Sequence, residues 1–237
     1  MAMNRPRAIL FDVFGTLVDW RGSLISGLAA FGAARGIDRD WAEVADGWRR
    51  AYRPSMDRVR RRVIPWTTLD DLHRDSLIDL ARRFVFGPLT DGDCAHLVSL
   101  WHRLAAWPDT QAGLARLKTR HIIGPLSNGQ LALQVTLAKR NGFPWDVVFG
   151  ADLFRHYKPD PEVYLGACDL LMLDPGEVML GAAHNDDLRA AGACGLATGF
   201  IARPREHGEA TGDRAKPNGD WDVVADSVED LAAKLGC

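Results

Sequence analysis

Short apolar runs recur along the chain, and stretches with apolar residues three or four positions apart separate most of them. The runs predict strands at residues 8–11, 121–125, 147–149, 178–182, 198–201 and 222–225. The intervening stretches predict helices at residues 130–140, 161–172, 187–194 and 228–235. Strands that alternate with helices are typical of a parallel sheet covered on both faces. The pattern therefore predicts an α/β fold with a Rossmann-like parallel sheet.

Residues 22–107 break this alternation. They predict helices at 24–35, at 41–61 with a break at Pro54, at 69–84 and at 91–106, without a strand between them. The first strand precedes this block and the rest of the sheet follows it. We therefore predict a core domain of residues 1–20 and 108–237 and an inserted helical cap domain of residues 21–107. The segment 203–218, rich in Gly, Pro and charge, predicts an exposed loop.

The composition narrows the class of protein. The 237 residues are 47% hydrophobic and 25% charged, as in globular proteins, and the net charge of -2 leaves no basic excess for nucleic acid. The basic run at 58–62 predicts a solvated helix face. Four cysteines without CxxC spacing, namely Cys94, Cys168, Cys194 and Cys237, argue against a zinc site or a disulfide framework. The residues MAMNRPR hold no signal core, and no apolar run reaches the length of a membrane span, so we expect a cytoplasmic protein without a membrane partner.

Side chains that can carry chemistry follow the predicted strands, at the edge of the sheet where ligands bind in open α/β folds. In chain order they are Asp12, Phe14 and Thr16, then Ser127 and Asn128, then Lys158, then His184, Asn185, Asp186 and Asp187. Each has an ordinary structural explanation: Asp12 as a turn cap, Ser127 with Asn128 as the cap of the next helix, Lys158 as a surface lysine. Their order at successive strand ends favours one shared site.

This ordered set resembles the haloacid dehalogenase superfamily. The resemblance covers the whole chain through DVFGT at 12–16, PLSNG at 125–129, YKPDPEVY at 157–164 and HNDDLRAAGACGL at 184–196. Members of the superfamily use the first aspartate as a covalent nucleophile. The resemblance therefore implies a sheet core with an inserted helical cap, and it implies that Asp12 is the nucleophile.

Two reactions of the superfamily need different residues. Its phosphatases hold magnesium and keep a second aspartate two residues after the nucleophile, where this chain has Phe14, which cannot protonate a leaving alkoxide. Their magnesium site also takes a carboxylate four residues before the last aspartate, where this chain has Ala183, although Asp186 could offer an oxygen from another position. Its L-2-haloacid dehalogenases carry an aromatic residue at the position of Phe14 and work without metal. The resemblance thus favours dehalogenation without a metal or another cofactor.

Carried over to the matching positions, the resemblance implies roles for individual residues. Asp12 attacks the halogen-bearing carbon to form an ester, and Asp187 orients or deprotonates the water that hydrolyses it. Lys158 balances the charge of Asp12, and Thr16 hydrogen-bonds a carboxylate beside it. The residues assigned to substrate binding are Phe14, Arg49, Ser127, Asn128, His184 and Trp66. Ser127 holds the substrate carboxylate near a helix N-terminus, whereas Asn128 and a cap arginine hold the departing halide.

Three of these assignments have alternatives. Arg49 best matches the tryptophan-arginine pair of the family, with Arg50 and Arg21 as alternatives. His184 stands where members often have asparagine, and it can be a neutral core histidine, a halide contact or a shifted general base. Asp186 stands where family members often have a tryptophan that forms an apolar wall of the pocket. In this chain Trp66 or Trp20 would supply that wall.

The expected function is hydrolysis of short 2-haloalkanoic acids to 2-hydroxy acids. One alternative is a magnesium-dependent phosphatase acting on a small phosphorylated metabolite. Another is a non-catalytic homologue that binds a small anion. The expected partner is a small halogenated carboxylic acid, and the resemblance also allows a homodimer, because relatives commonly pair with the help of their cap helices.

Overall fold

Two units can be distinguished within the part of the chain that the structure describes. The structure is a computed structural model that describes residues 5–84, 86–208 and 216–237. An α/β unit comprises Met1–Asp19 and Ala105–Cys237, and a helical unit comprises Trp20–Leu104. None of the described helices combines the length and the apolar character that a membrane crossing requires.

Six parallel strands among the described residues form the sheet of the α/β unit. Across the sheet they are β5 (Phe149–Gly150), β4 (Ile122–Ser127), β1 (Ala8–Phe11), β6 (Val178–Ala182), β7 (Ala197–Ile201) and β8 (Val223–Ala225). Every residue of β1 and β6 is buried, as continuous apolar runs predict for a sheet covered on both faces. The strands β2 (Val18–Asp19) and β3 (Ala105–Ala106) form a separate antiparallel pair. The predicted α/β fold with a parallel sheet is confirmed.

The helical unit contains α1 (Trp20–Ala33), α2 (Trp41–Arg60), α3 (Leu69–Arg83) and α4 (Asp91–Val98). The side chains of Asp40, Thr68 and Thr90 cap the last three of these helices. The predicted break at Pro54 is wrong, because α2 continues through it. A proline removes one backbone donor, and the buried Trp48 and Val59 on either side of it hold the helix together by packing.

Helices cover the sheet of the α/β unit. They are α5 (Thr110–Leu117), α6 (Leu131–Asn141), α7 (Ala151–Phe154), α8 (Pro161–Leu171), α9 (Asn185–Ala193) and α10 (Val228–Lys234). Leu10 and Leu180 of the sheet share a buried apolar cluster with Tyr164 of α8 and Leu188 of α9. Strand β1 lies between β4 and β6. The loops after these three strands therefore start from adjacent points on one edge of the sheet.

The predicted exposed loop at 203–218 is wrong at its start. Arg203 and Glu206 are only 8% and 5% exposed, whereas residues 209–215 lie outside the described residues. The guanidinium of Arg203 donates to both carboxylate oxygens of Asp109 at 2.8 and 2.9 Å, and its Nε donates to the carbonyl of Thr16 at 2.7 Å. A charged side chain is buried here because it is paired. These contacts fix the start of the loop beside the turn that follows β1.

Candidate active site

Asp12 follows β1, and its carboxylate lies among buried polar side chains. The backbone N–H of Asp12 donates to the carbonyl of Gly181 at 3.1 Å, which keeps the residue in register with β6. The following turn brings the hydroxyl of Thr16 to 2.8 Å from Asp12 Oδ2. That hydroxyl accepts the N–H of Ala183 at 2.9 Å. Since a hydroxyl has one proton, Thr16 directs it at Asp12.

Lys158 places a positive charge between two carboxylates. Its Nζ is 3.0 Å from Asp12 Oδ1 and 2.5 Å from Asp187 Oδ2, and its side chain is 5% exposed. Burial alone would lower the pKa of Lys158, but the charges of Asp12 and Asp187 raise it above its ordinary value. Burial would raise the pKa of Asp12, but Lys158 and then His184 hold it well below its usual range. Asp12 is therefore a carboxylate at neutral pH.

Asp187 lies in the first turn of α9 with both carboxylate oxygens occupied. Its Oδ1 accepts the hydroxyl of Tyr164 on α8 at 2.6 Å, and its Oδ2 accepts Lys158. Burial and the charge of Asp187 raise the pKa of Tyr164, so the phenol stays a donor. Burial also raises the pKa of Asp187, and the neighbouring charge of Asp12 adds to this against the opposing effect of Lys158. These two partners fix the carboxylate of Asp187.

His184 directly precedes α9 and bridges two carboxylates. Its Nδ1 is 3.0 Å from Asp12 Oδ2, and its Nε2 is 3.0 Å from both carboxylate oxygens of Glu206. The side chain of Glu206 is 6% exposed. Burial would lower the pKa of His184, but the charge of Glu206, the hydrogen bonds to both carboxylates and the charge of Asp12 raise it well above its usual value. This arrangement favours an imidazolium that donates from both nitrogens over a neutral core histidine.

Gly15 leaves the space that Glu206 occupies. Its φ is +90°, and a Cβ at this position would overlap the Glu206 carboxylate. We expect Gly15→Ala to lower the free energy of unfolding by about 1–3 kcal/mol through backbone strain, and to displace Glu206 from His184. Urea unfolding measures the change in the free energy of unfolding. NMR titration of the His184 ring measures the displacement of Glu206, which should lower the pKa of His184.

Gly195→Ala is the matched control for this variant. Gly195 has a similar φ of +87°, but within the described part of the chain its added Cβ would meet only Pro175 Cβ, at 3.4 Å. The control should lose stability without changing the titration of His184. Equal titration of His184 in the two variants would show that Gly15 does not determine the position of Glu206.

Ser127 is the last residue of β4 and Asn128 follows it; both are buried, 1% and 8% exposed. Asn128 Oδ1 accepts the backbone N–H of Lys158 at 2.7 Å, and Ser127 Oγ accepts that of Gly129 at 3.2 Å. Their interpretation as helix caps is wrong, because α6 begins at Leu131, whose N–H donates to Asp152 Oδ1 at 2.8 Å. Asn128 instead holds the loop that carries Lys158 beside the site.

The residues around Asp12 do not fit a Mg²⁺ ion. Such an ion needs several oxygen ligands. At the two positions where the phosphatases of the superfamily have carboxylates, this chain has the buried ring of Phe14 and the methyl group of Ala183. Lys158 already places a positive charge on one oxygen of Asp12, and His184 places one on the other. Fixed cations of the protein balance this carboxylate.

Arg49 and Trp66 belong to the helical unit. The guanidinium of Arg49, on α2, is 4.4 Å from the ring centre of Tyr52, and its buried Nη1 has no hydrogen-bond partner among the described residues. The alternative Arg21 donates to both oxygens of Asp46 at 2.8 and 2.9 Å. Trp66 lies between α2 and α3. The substrate contacts of Arg49 and Trp66 stay predictions.

Sequence reasoning misses two residues of the hydrogen-bonded cluster around Asp12, namely Tyr164 and Glu206. Tyr164 ends the motif YKPDPEVY, and its position on α8 could be anticipated, since it lies three residues after Pro161 at the start of that helix. Glu206 carries no such signal. It lies in a charged loop, and the contacts of Arg203 with Asp109 and Thr16 fix the start of that loop beside the turn that follows β1.

Comparisons with known proteins agree on one family. A family model described as haloacid dehalogenase-like hydrolase matches residues 6–195. The (S)-2-haloacid dehalogenase 4A of Burkholderia cepacia is 32% identical over 83% of this chain and 83% of that protein. The range of the family model includes Asp12, Ser127, Lys158 and Asp187.

Two solved structures resemble the chain closely. The defluorinating L-2-haloacid dehalogenase Rha0230 has a TM-score of 0.95 and 46% identity, covering 98% of this chain and 96% of that one. The L-2-haloacid dehalogenase PA0810 has a TM-score of 0.93 and 51% identity, covering 97% of this chain and 98% of that one. The likeness extends over nearly the full length of each protein.

Proposed function

This chain belongs to the haloacid dehalogenase-like hydrolases, and we propose that it hydrolyses the carbon–halogen bond of short L-2-haloalkanoic acids to give 2-hydroxy acids. One observation carries the proposal. The carboxylate of Asp12 is balanced by Lys158 on one oxygen and by His184 on the other, beside an aromatic Phe14. Such a site favours attack on carbon with loss of halide, which needs no proton.

The reaction proceeds in two steps. Asp12 Oδ1, which accepts one hydrogen bond where Oδ2 accepts two, attacks the halogen-bearing carbon from the side opposite the halogen. The carbon–halogen bond breaks, and the halide leaves with its electron pair. Water then attacks the carbonyl carbon of the Asp12 ester, with Asp187 as the group that orients or deprotonates it. The hydroxy acid departs with an oxygen that belonged to Asp12.

Other residues of the family pattern bind the substrate in this proposal. Ser127 and the backbone N–H groups near it hold the carboxylate, and Asn128 with Arg49 holds the departing halide. Phe14 and Trp66 supply apolar walls. Relatives that are named for haloacids, one of them defluorinating, support a substrate set that includes chloro-, bromo- and fluoro-acids. Homodimerisation and a cytoplasmic location stay predictions, and light scattering on the purified protein checks the first.

The decisive test is a single turnover in H₂¹⁸O with protein in excess over L-2-chloropropionate. We expect the first hydroxy acid to carry ordinary oxygen and the Asp12 peptide to gain ¹⁸O, because water attacks the protein ester rather than the substrate. Mass spectrometry of product and peptide measures both. Label in the first product and none in the peptide would contradict a covalent Asp12 intermediate.

A chelator separates the proposal from the phosphatase alternative. We expect halide release from L-2-chloropropionate to be unchanged by EDTA and by added Mg²⁺, because Lys158 and His184 already balance Asp12. Small phosphate monoesters should not be hydrolysed in either condition. Phosphate release that EDTA abolishes and Mg²⁺ restores would favour the alternative.

A further inference from the structure

The two carboxylate oxygens of Asp12 have different surroundings. Among the described residues, Oδ1 hydrogen-bonds only with Lys158 Nζ, at 3.0 Å. Oδ2 accepts the hydroxyl of Thr16 at 2.8 Å and faces His184 Nδ1 at 3.0 Å. If Oδ1 forms the ester, Oδ2 becomes its carbonyl oxygen. Two donors therefore already surround the atom on which negative charge develops when water attacks that ester.

We propose that His184 is a catalytic residue of the hydrolytic step, in which its Nδ1–H donates to the developing oxyanion at Asp12 Oδ2, and that Glu206 is the positioning residue that orients it. This inference rests on the proposed function. Thr16 is the second donor to the same atom. Because Thr16 accepts the N–H of Ala183, its own proton points at Oδ2.

The bonds and protons of the step balance. The water oxygen bonds to the Asp12 carbonyl carbon, and the electron pair of the carbonyl bond moves onto Oδ2, which His184 and Thr16 hold as an oxyanion. The electron pair on Oδ2 then re-forms the carbonyl bond. At the same time the bond between that carbon and Oδ1 breaks, and its electron pair leaves with Oδ1 on the product. Of the two water protons, one reaches the hydroxyl of the product, and the other leaves to solvent as the Asp12 carboxylate reforms. His184 keeps its proton throughout.

The charged groups around His184 support a role as donor. Asp12 faces Nδ1 and Glu206 faces Nε2, while His207 lies 3.7 Å from Glu206. Lys158 and Asp187 lie on the other side of Asp12. Esterification removes the charge of Asp12 but leaves the charge of Glu206, whose two oxygens lie 3.0 Å from Nε2 in the structure. A positive imidazolium therefore persists in the intermediate, where it stabilises negative charge.

The geometry also separates this role from that of a general base. To act as a general base, His184 would need an unprotonated Nδ1 that is directed at the attacking water. Here Nδ1 is directed at Oδ2, an oxygen that can only accept a hydrogen bond, since Asp12 is a carboxylate before the reaction and an ester carbonyl during it. The two roles predict opposite dependences on pH. A donor loses rate as pH rises through the His184 pKa, and a base loses rate as pH falls through it.

The test measures ester formation and ester hydrolysis separately, by rapid quench and intact mass spectrometry with L-2-chloropropionate. We expect His184→Ala, which leaves no side-chain donor at this position, to slow hydrolysis by about a hundredfold or more while the ester still forms, so that the esterified chain accumulates. His156→Ala is the matched control, because His156 also lies beside two carboxylates, 3.2 Å from Asp160 and 3.8 Å from Glu162, outside the cluster around Asp12. It should leave both rates unchanged.

Glu206→Gln tests the inference with little change of shape. In the unaltered protein the hydrolysis rate should fall at high pH. In Glu206→Gln this fall should move to lower pH by about 1–3 units, because the loss of the carboxylate charge lowers the His184 pKa. A merely structural role for Glu206 would lower the rate without moving the profile.

The outcomes distinguish failure of this inference from failure of the proposed function. If the unaltered protein neither forms the ester nor releases halide from any haloacid, the proposed function fails. If it does both, but His184→Ala hydrolyses the ester at the normal rate, only the inference fails. A hydrolysis rate that falls toward low pH, with Glu206→Gln shifting that limb, would identify His184 as a base and overturn the inference too.

Discussion

Asp12→Asn is expected to lower the rate of halide release from L-2-chloropropionate by at least about 10⁴-fold, the largest effect of any single substitution considered for this chain. The amide nearly matches the carboxylate in shape, but it has no negative charge and is a poor nucleophile toward carbon. Lys158 and His184 would then face a neutral group, so the remaining contacts bind substrate without reacting with it. Initial rates of halide release measure the loss.

The matched control is Asp169→Asn on the exposed surface of α8, which should leave the rate unchanged. Intact mass spectrometry adds a second measurement, because Asp12→Asn should form no esterified chain at any time. A slow recovery of activity that follows conversion of the amide to aspartate would agree with the prediction. Activity of fresh Asp12→Asn within tenfold of the unaltered protein would remove Asp12 as the nucleophile.

The sheet could be predicted from the sequence because its central strands β1 and β6 are continuous runs without a charged or polar side chain. The sequence predicts strands at residues 8–11 and 178–182, and the structure has strands with these bounds. The bounds of two strands near the site differ from the prediction. Residues 121–125 and 147–149 are predicted, whereas β4 continues to Ser127 and β5 covers only Phe149–Gly150. Pairing with a neighbouring strand determines such ends, and an apolar pattern carries no information about it.

The helices illustrate how tertiary packing overrides local signals. Proline predicts a break at Pro54, but α2 buries apolar residues on both sides of it and stays continuous. At the other extreme, the predicted helix 91–106 ends earlier, because a 3-10 turn at Ser99–Arg103 leads into β3. At Pro54, the loss of one backbone N–H donor costs less free energy than exposing the apolar residues packed on either side of it. After Val98 the chain changes direction, and the helix therefore ends.

The site could be predicted as far as it follows strand order. Asp12, Lys158 and Asp187 form one hydrogen-bonded cluster, because parallel strands deliver their loops to one edge. Glu206 could not be anticipated, since its position depends on Arg203 meeting Asp109. That contact joins residues 94 positions apart in the sequence. Sequence order determines which strand end a residue follows, but long-range ion pairs determine which loop residues turn inward.

The electrostatics of the site depend most on Lys158. It is the one group that contacts both Asp12 and Asp187 within the described structure, at 3.0 and 2.5 Å. Without it, two buried carboxylates would face each other with no cation between them. Such a pair shares a proton, because two negative charges in a poorly hydrated site repel each other. The consequence for Asp12 is a higher pKa and therefore a smaller fraction in the ionised form that can attack carbon.

Lys158→Met is therefore expected to lower kcat/KM for L-2-chloropropionate by about a thousandfold at neutral pH. In the unaltered protein the Asp12 pKa is depressed, so activity should persist to low pH and fall only as pH drops through that pKa. In the variant this acid limb should move upward, and the remaining activity should rise with pH. Methionine keeps the length of the aliphatic chain, so the change removes charge with little loss of packing.

A pH–rate profile of kcat/KM checks the prediction, with circular dichroism to confirm that the variant folds. Lys139→Met, at an exposed position of α6, is the matched control and should reproduce the unaltered profile. A thousandfold loss with an unmoved acid limb would mean that Lys158 acts on the substrate instead of on Asp12. An upward shift would instead show that its charge keeps Asp12 ionised, and this would explain why a buried lysine lies between two acids at a site that attacks carbon.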